Sequence, residues 1–379
     1  MKTVKILYGC GVDSYYATKL PMHDPYLFMQ APNGEKHIFL SELEIGRGRK
    51  EAKVEHVHAC TDLAAEMGKN GTVAEQITFM VAKWVGNFDV VKLVIPNNFP
   101  LRIYQQLSAV FKNIEVCSGT LFPERAIKTP EEIEMVRQAQ ANNEKGFFRA
   151  VEILQAATIE KDLTLKWNGS PLTSEILRGE VNAVNAQFGA LGFNDGPIMA
   201  GGAQGADPHN VGSGILRANE FIIMDSFPLA SNFYNGDLTR TFLKGEASDW
   251  HLEVYDAVLA AQLHALNITK AGVTGKYVHE EVMKTLENRG FPKGVDANGD
   301  NFGMFHGTGH SLGLEVHDDG PGVSPRNDKP LLENMVVTIE PGLYYPGKGG
   351  VRIEDIVAVT KDGIDNLTTI PKELLVDKW

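Results

Sequence analysis

The chain is predicted to be a two-domain α/β (α+β) protein, with a smaller α/β domain followed by a larger one that carries the chemistry. Three observations predict this. A chain of 379 residues exceeds one ordinary core and suits a first domain of about 125 residues and a second about twice that size. The N-terminal third alternates short apolar runs with polar or helical stretches, and the remainder interleaves amphipathic helices with apolar strands that end in carboxylates.

In order along the chain, residues 4–7, 26–29, 37–40 and 90–95 have the length and composition of strands. The last, Val90-Val91-Lys92-Leu93-Val94-Ile95, runs into Pro96-Asn97-Asn98, turn chemistry that stops a strand. Nothing in this third is expected to group acids, bases and metal-ligating side chains. Lys128-Thr129-Pro130-Glu131-Glu132 then signals a long helix: Thr129 caps it, Pro130 takes the first position, where no N–H is needed, and Glu132 closes a capping box. Ile133, Val136, Phe147, Val151 and Leu154 recur at near-helical spacing, so one face stays apolar to about residue 155. The domains are accordingly expected over 1–125 and 126–379. A further helix is expected over 249–270, with Leu252, Tyr255, Leu259, Leu263 and Leu266 inward and Ala271-Gly272 as its stop, and another over 276–288.

Thirty-six basic against 48 acidic residues leave a net charge of -12 with no dense basic stretch, which argues against a nucleic-acid partner. The start lacks an apolar run of signal-peptide length and no stretch reaches the roughly 20 apolar residues of a membrane span, so no membrane partner and a cytoplasmic location are expected. Cys10, Cys60 and Cys117 are odd in number and far apart, and read as buried free thiols.

The chemistry gathers after residue 220. Phe221-Ile222-Ile223-Met224-Asp225 is an apolar strand tipped by a carboxylate, and Asp237-Leu238-Thr239-Arg240-Thr241-Phe242 opens with another. His306-Gly307-Thr308-Gly309-His310 has the four-residue His spacing of a zinc helix, yet its glycines are poor helix formers and no Glu follows His306, so an extended glycine-rich segment is expected. Val336-Val337-Thr338-Ile339-Glu340 ends in a carboxylate before the turn-forming Pro341-Gly342. In Val351-Arg352-Ile353-Glu354-Asp355, strand alternation sets Arg352 and Glu354 on one face and Asp355 on the other. Burying four carboxylates and an imidazole together is costly without cations. Mostly oxygen donors with one imidazole favour Mn²⁺, Co²⁺, Fe²⁺ or Zn²⁺, and five such ligands suit a pair of ions. Gly201-Gly202-Ala203-Gln204-Gly205 lacks the Lys-Ser/Thr of a phosphate loop and is expected to be an ordinary loop.

The order Asp, Asp, His, Glu, Glu, with the segments from Asp237, His306, Glu340-Pro341-Gly342 and Arg352-Ile353-Glu354-Asp355, resembles the creatinase/aminopeptidase P/prolidase "pita-bread" metallopeptidases over essentially the whole chain. That resemblance implies a creatinase-like N-terminal α/β domain and a pita-bread catalytic domain. It implies two divalent ions, manganese foremost with cobalt, zinc and iron as alternatives, held by Asp225, Asp237, His310, Glu340 and Glu354. Asp237 and Glu354 would bridge the pair, Asp225 and His310 would serve different ions, and a bridging hydroxide would attack. Glu340 would also shuttle a proton, with His209 and His317 as further catalytic residues and His306, Tyr344 and Arg352 lining the substrate's proline side. The implied reaction is hydrolysis of the bond before proline in Xaa-Pro dipeptides or short peptides, by a homodimer. The chain departs from the family at Asp225-Ser226-Phe227-Pro228, where a glycine two residues after the Asp is usual, and the gap to Asp237 is one residue longer. That hairpin, with Phe227 and Ser231-Asn232-Phe233, is expected to reshape the entrance. It keeps open the alternative of a creatinase-like C–N hydrolase or a lyase acting on a small metabolite.

Overall fold

The computed structural model describes residues 2–61, 71–86, 88, 91–192 and 196–379. The chain divides into two compact units, Met1–Pro123 and Glu124–Trp379.

In the first unit β1 (Lys2–Gly9), β2 (Tyr26–Gln30), β3 (Lys36–Leu40), β4 (His56–Ala59), β5 (Val91–Ile95) and β6 (Ile114–Val116) form one sheet in the order β4-β3-β2-β1-β5-β6. Val90 of the expected fourth strand lies outside the described residues. The central strands are apolar on both faces because both are covered. Val4, Ile6, Leu27 and Met29 pack with α3 (Val73–Val85) and α4 (Leu101–Val110), while Leu7, Phe28, Ile38 and Leu40 pack with α1 (Val12–Thr18) and α2 (Ile45–Glu51). Strands β3 and β4 are parallel, with His37 opposite His56 and Phe39 opposite His58.

That register overturns one expectation, since Glu35, His37 and His56 bring metal-ligating atoms together in this unit. A parallel pairing aligns residues far apart in sequence, which no local pattern reveals. The three cysteines are free, as expected, but half-buried rather than buried. They follow the ends of β1, β4 and β6, where the sheet gives way to its connections.

The second unit opens with α5 (Pro130–Ala156), whose capping box forms as expected: Glu132 N–H donates to Thr129 Oγ1 at 3.2 Å and Thr129 N–H to Glu132 Oε2 at 3.0 Å. Helix α6 (Ser174–Gln187), capped by Thr173, was not anticipated. Three-stranded sheets follow, β7 (Ile198–Gly201) with β8 (Ile222–Ser226) and β9 (Leu238–Phe242), and β10 (Val336–Ile339) with β13 (Asp355–Val359) and β14 (Ile364–Asn366). Between them come α7 (Asp249–Ile268) and α8 (Gly275–Asn288); β11 (Gly342–Tyr345) and β12 (Gly349–Arg352) form a hairpin. Each sheet is backed by a helix pair. Met199, Ile222, Met224, Leu238 and Phe242 meet Phe147, Leu154, Leu177 and Val181, whereas Val337, Ile339, Ile353 and Val357 meet Val254, Val258, Ala261, Val278 and Val282.

The inner face of α7 matches the expected one in part, with Tyr255 buried and Leu259 and Leu266 packed at the edge of the core. It buries Val254, Tyr255, Ala257, Val258, Ala261 and Ala265, and leaves Leu252 and Leu263 about half exposed at 47% and 50%. Small residues line the side where two helices approach closely, so the largest side chains fall at its margin. The Gly201 to Gly205 stretch forms a 3-10 turn, Gly202–Ala206, rather than an irregular loop. Among the described residues no helix is long and apolar enough to cross a membrane.

Candidate metal centre

Strand alternation builds the site. Ile222 and Met224 face the helices, so Asp225 at the end of β8 points the other way. Leu238 and Phe242 do the same for β9, which sends Asp237 and Thr239 to the site face. Val337 and Ile339 of β10 leave Glu340 opposite the core, and Ile353 leaves Arg352 and Glu354 there. Asp355 faces away, as expected, paired with Arg240 at 2.9 Å, Lys372 at 2.7 Å and Asn366 at 2.8 Å.

Asp237, His310 and Glu354 offer ligand atoms that all lie within 4.8 Å of one another. His310 Nε2 stands 3.5 Å from Asp237 Oδ2 and 3.8 Å from Glu340 Oε1. Asp225 Oδ2 accepts from Arg352 Nη2 at 2.8 Å, while its Oδ1 is buried and takes no hydrogen bond from the described residues. Gln140 clamps the backbone of Asp237, accepting from its N–H at 3.0 Å and donating to its carbonyl at 2.9 Å. Thr239 Oγ1 donates to Glu354 Oε2 at 2.8 Å.

The 306–310 segment is extended, as its glycines predict. Gly309 N–H donates to Val323 O at 3.0 Å, His310 N–H to Thr338 Oγ1 at 3.1 Å, and Thr338 N–H to His310 O at 2.9 Å. Gly309 is required by space, since a Cβ there would stand 1.9 Å from Thr338 O. The missing side chain therefore admits strand β10 itself. His310 Nδ1 lies 3.2 Å from Ser311 O, leaving Nε2 toward the carboxylates.

Charge is unbalanced here. Burial, then Glu354, Asp225 and Glu340, hold the Asp237 carboxyl well above the usual range; burial, then Glu340 and Asp225, do the same for Glu354. Burial lifts Glu340 to about 8 against the opposing pull of Arg352. Burial pushes the His310 imidazole down to about 3, which keeps it neutral. Crowded carboxylates, a neutral imidazole and an orphaned buried oxygen on Asp225 make a donor set that lacks positive charge, and divalent ions fit it.

Beyond the carboxylates, Tyr344 OH accepts from Arg352 Nη1 and pairs with His306 Nε2, both at 2.9 Å. The expected substrate-side trio is thus one connected chain, and Arg352 also forms the salt bridge with Asp225. His317 is exposed, its ring 4.2 Å from that of His310 and nearly perpendicular to it. Its loop is anchored by buried Asp318, which pairs with Arg125 and, at 3.3 Å, with Lys128. His209 is exposed and joins the group only through its field, which lowers the pKa of His306 and His317 behind their burial. The unusual hairpin tip after Asp225 is tied to α5, with Tyr234 OH donating to Glu132 Oε1 at 2.7 Å and Asn232 Nδ2 to Met135 O at 2.8 Å.

The model of metallopeptidase family M24 matches residues 134–361, well over half of the chain. The chain belongs to metallopeptidase family M24. An Xaa-Pro dipeptidase of Pyrococcus furiosus is 28% identical over 370 residues, covering 95% of this chain and 92% of its own. An Xaa-Pro dipeptidase from Bacillus anthracis superposes with a TM-score of 0.81 at 26% identity, over 98% of this chain and 94% of that one. An X-Pro aminopeptidase from Thermotoga maritima gives 0.79 at 25% identity, over 98% and 97%. This M24 chain accordingly has the creatinase-like α/β and pita-bread architecture.

Some residues of the M24 site carry no sequence signal. His279 on α8 is buried, its Nδ1 3.0 Å from Thr308 Oγ1, and with Lys293, Phe305, His306 and Arg326 it lines a cavity of about 640 Å³. Gln140 sits among ordinary helical residues, and only the topology brings it beneath Asp237.

Proposed function

We propose that this M24 chain is an exopeptidase that hydrolyses the bond before proline in Xaa-Pro dipeptides or short peptides. The observation that carries the reading is the convergence of Asp225, Asp237, His310, Glu340 and Glu354 at one site, with relatives named for Xaa-Pro substrates as its support.

In this reading those five residues would hold two divalent ions, manganese foremost and cobalt, zinc or iron as alternatives. The ions would supply Lewis-acid activation of water and of the scissile carbonyl. Glu340, 3.8 Å from His310 Nε2, takes up a proton on its carboxylate and delivers it to the leaving nitrogen. His317, exposed beside His310, donates to the substrate carbonyl as negative charge grows on its oxygen, and His209 assists from the opposite loop. Arg352 holds Asp225 in place, and with Tyr344 and His306 walls the proline side. Lys293 and Arg326, on the cavity beside His306, supply positive charge for a free substrate carboxylate, which favours dipeptides.

The test is proline release from an Xaa-Pro dipeptide, and cleavage of an Xaa-Pro-Yaa tripeptide, by manganese-loaded and chelated protein. Metal-dependent cleavage with the dipeptide preferred is expected. Silence on both, from protein that retains its metal, would move the reading to a non-peptide C–N bond.

A further inference from the structure

We propose that Glu35, His37 and His56, on the sheet of the N-terminal unit, bind one divalent transition-metal ion of the zinc class.

Strand geometry makes the site. Residues two apart share a face, so Glu35, His37 and Phe39 line one side of the β3 segment, and His56 and His58 line the same side of β4 through the register that sets His37 opposite His56. Glu35 closes the β2–β3 turn, its carbonyl accepting from Ala31 N–H at 2.8 Å, which fixes where its side chain starts. One ligand atom from each of Glu35, His37 and His56 lies within 4.8 Å of the others, and Glu35 Oε2 stands 3.7 Å from His56 Nε2. A tetrahedral ion with ligands at about 2.0–2.2 Å keeps its donors roughly 3.3 Å apart. The remaining gap closes by rotation of the two side chains free to rotate, those of His56 and Glu35 at 44% and 47% exposure.

His37 is the fixed member. It is buried, its Nδ1 lies 3.1 Å from His58 Nε2, and its ring meets Trp84 edge-on at 4.7 Å. A second imidazole bonded to a ligating one is the kind of outer contact that sets tautomer and ring orientation. The His37 ring centroid lies 4.3 Å from that of His56 and 5.4 Å from that of His58, a spacing at which three imidazolium cations would repel, so the stack favours neutral rings with lone pairs to give. Two neutral imidazoles and a carboxylate suit zinc and its neighbours rather than calcium or magnesium. Because β4 is the edge of the sheet, an ion here ties that edge to β3, a structural role independent of the peptidase reading.

The test uses the full chain, stripped by chelation and dialysed against buffered free zinc in the micromolar range, with zinc per chain measured by plasma mass spectrometry. His56→Ala and Glu35→Gln alter exposed side chains of this cluster alone. Each is expected to hold one zinc fewer per chain than wild type while its metal-dependent peptidase rate stays within twofold. Glu35→Gln keeps the shape of the side chain, so the comparison stands even if His56→Ala unfolds in a thermal melt. Equal zinc in wild type and a folded variant overturns the proposal.

Discussion

Replacing Gly309 by alanine should damage the catalytic centre by geometry alone. The new Cβ would stand 1.9 Å from Thr338 O and 3.0 Å from Thr338 Oγ1. Ordinary contact begins near 3.4 Å, so the His310 segment and β10 must separate by about 1.5 Å. Two hydrogen bonds join them at this point, at 3.1 Å and 2.9 Å, and neither tolerates such a shift. Overpacking of about 1–3 kcal/mol and roughly 1 kcal/mol for each bond lost suggest about 3–5 kcal/mol of destabilisation. At about 2–4 °C per kcal/mol, Tm should fall by roughly 6–20 °C. The displaced imidazole would leave its place 3.5 Å from Asp237. Misplacement of a reacting group by about 1 Å costs on the order of 100-fold, so kcat/KM in saturating manganese should drop by about that factor. Calorimetry and steady-state kinetics read both effects; a variant with wild-type Tm and kcat/KM within twofold would show that the His310 segment and β10 accommodate the methyl group without separating.

Three further outcomes follow from the same geometry. Glu354→Ala should lose bound metal and more than about 100-fold in activity, since even outer partners of metal ligands carry roughly 10–100-fold; undiminished metal content would count against its place in the cluster. His317→Ala should keep its metal yet lose about 100-fold or more in kcat, and a change confined to KM would remove it from the reaction. In chelated protein Glu340 is raised from 4.5 to about 8, so the folded chain holds that proton more tightly than the unfolded one. The resulting stability is complete below about pH 4.5 and is lost as pH rises to about 8, a few kcal/mol at most. Thermal melts should show this decline without metal and not with it, and a flat metal-free profile would contradict the assignment.

Much of the site was legible because it rests on local rules. Period-two alternation in Arg352-Ile353-Glu354-Asp355 is enough to separate Glu354 from Asp355, and the structure gives them opposite faces and different partners. The capping box at Thr129 and Glu132 marks the start of α5 without tertiary information. What stayed hidden depends on contacts between distant segments. The His37–His56 register comes from a parallel pairing, the clamp on Asp237 from Gln140 of another element, and the position of His279 from a single bond to Thr308. Helix α6 leaves little signal because its buried residues, Leu177 and Val181 among them, are sparse between polar ones, and on α7 the alanines at 257, 261 and 265 are buried by close helix packing while Leu252 and Leu263 stay at the margin, which leucine spacing does not show.

That Asp225, Asp237, His310, Glu340 and Glu354, brought together from two sheets and the His310 segment, hold a pair of divalent ions is tested most directly by anomalous diffraction from crystals grown with manganese. Two anomalous peaks are expected among Asp225, Asp237, His310, Glu340 and Glu354, with the carboxylates of Asp237 and Glu354 touching both. A map with no peak there, or with a single ion that leaves Asp225 or His310 unligated, would contradict it.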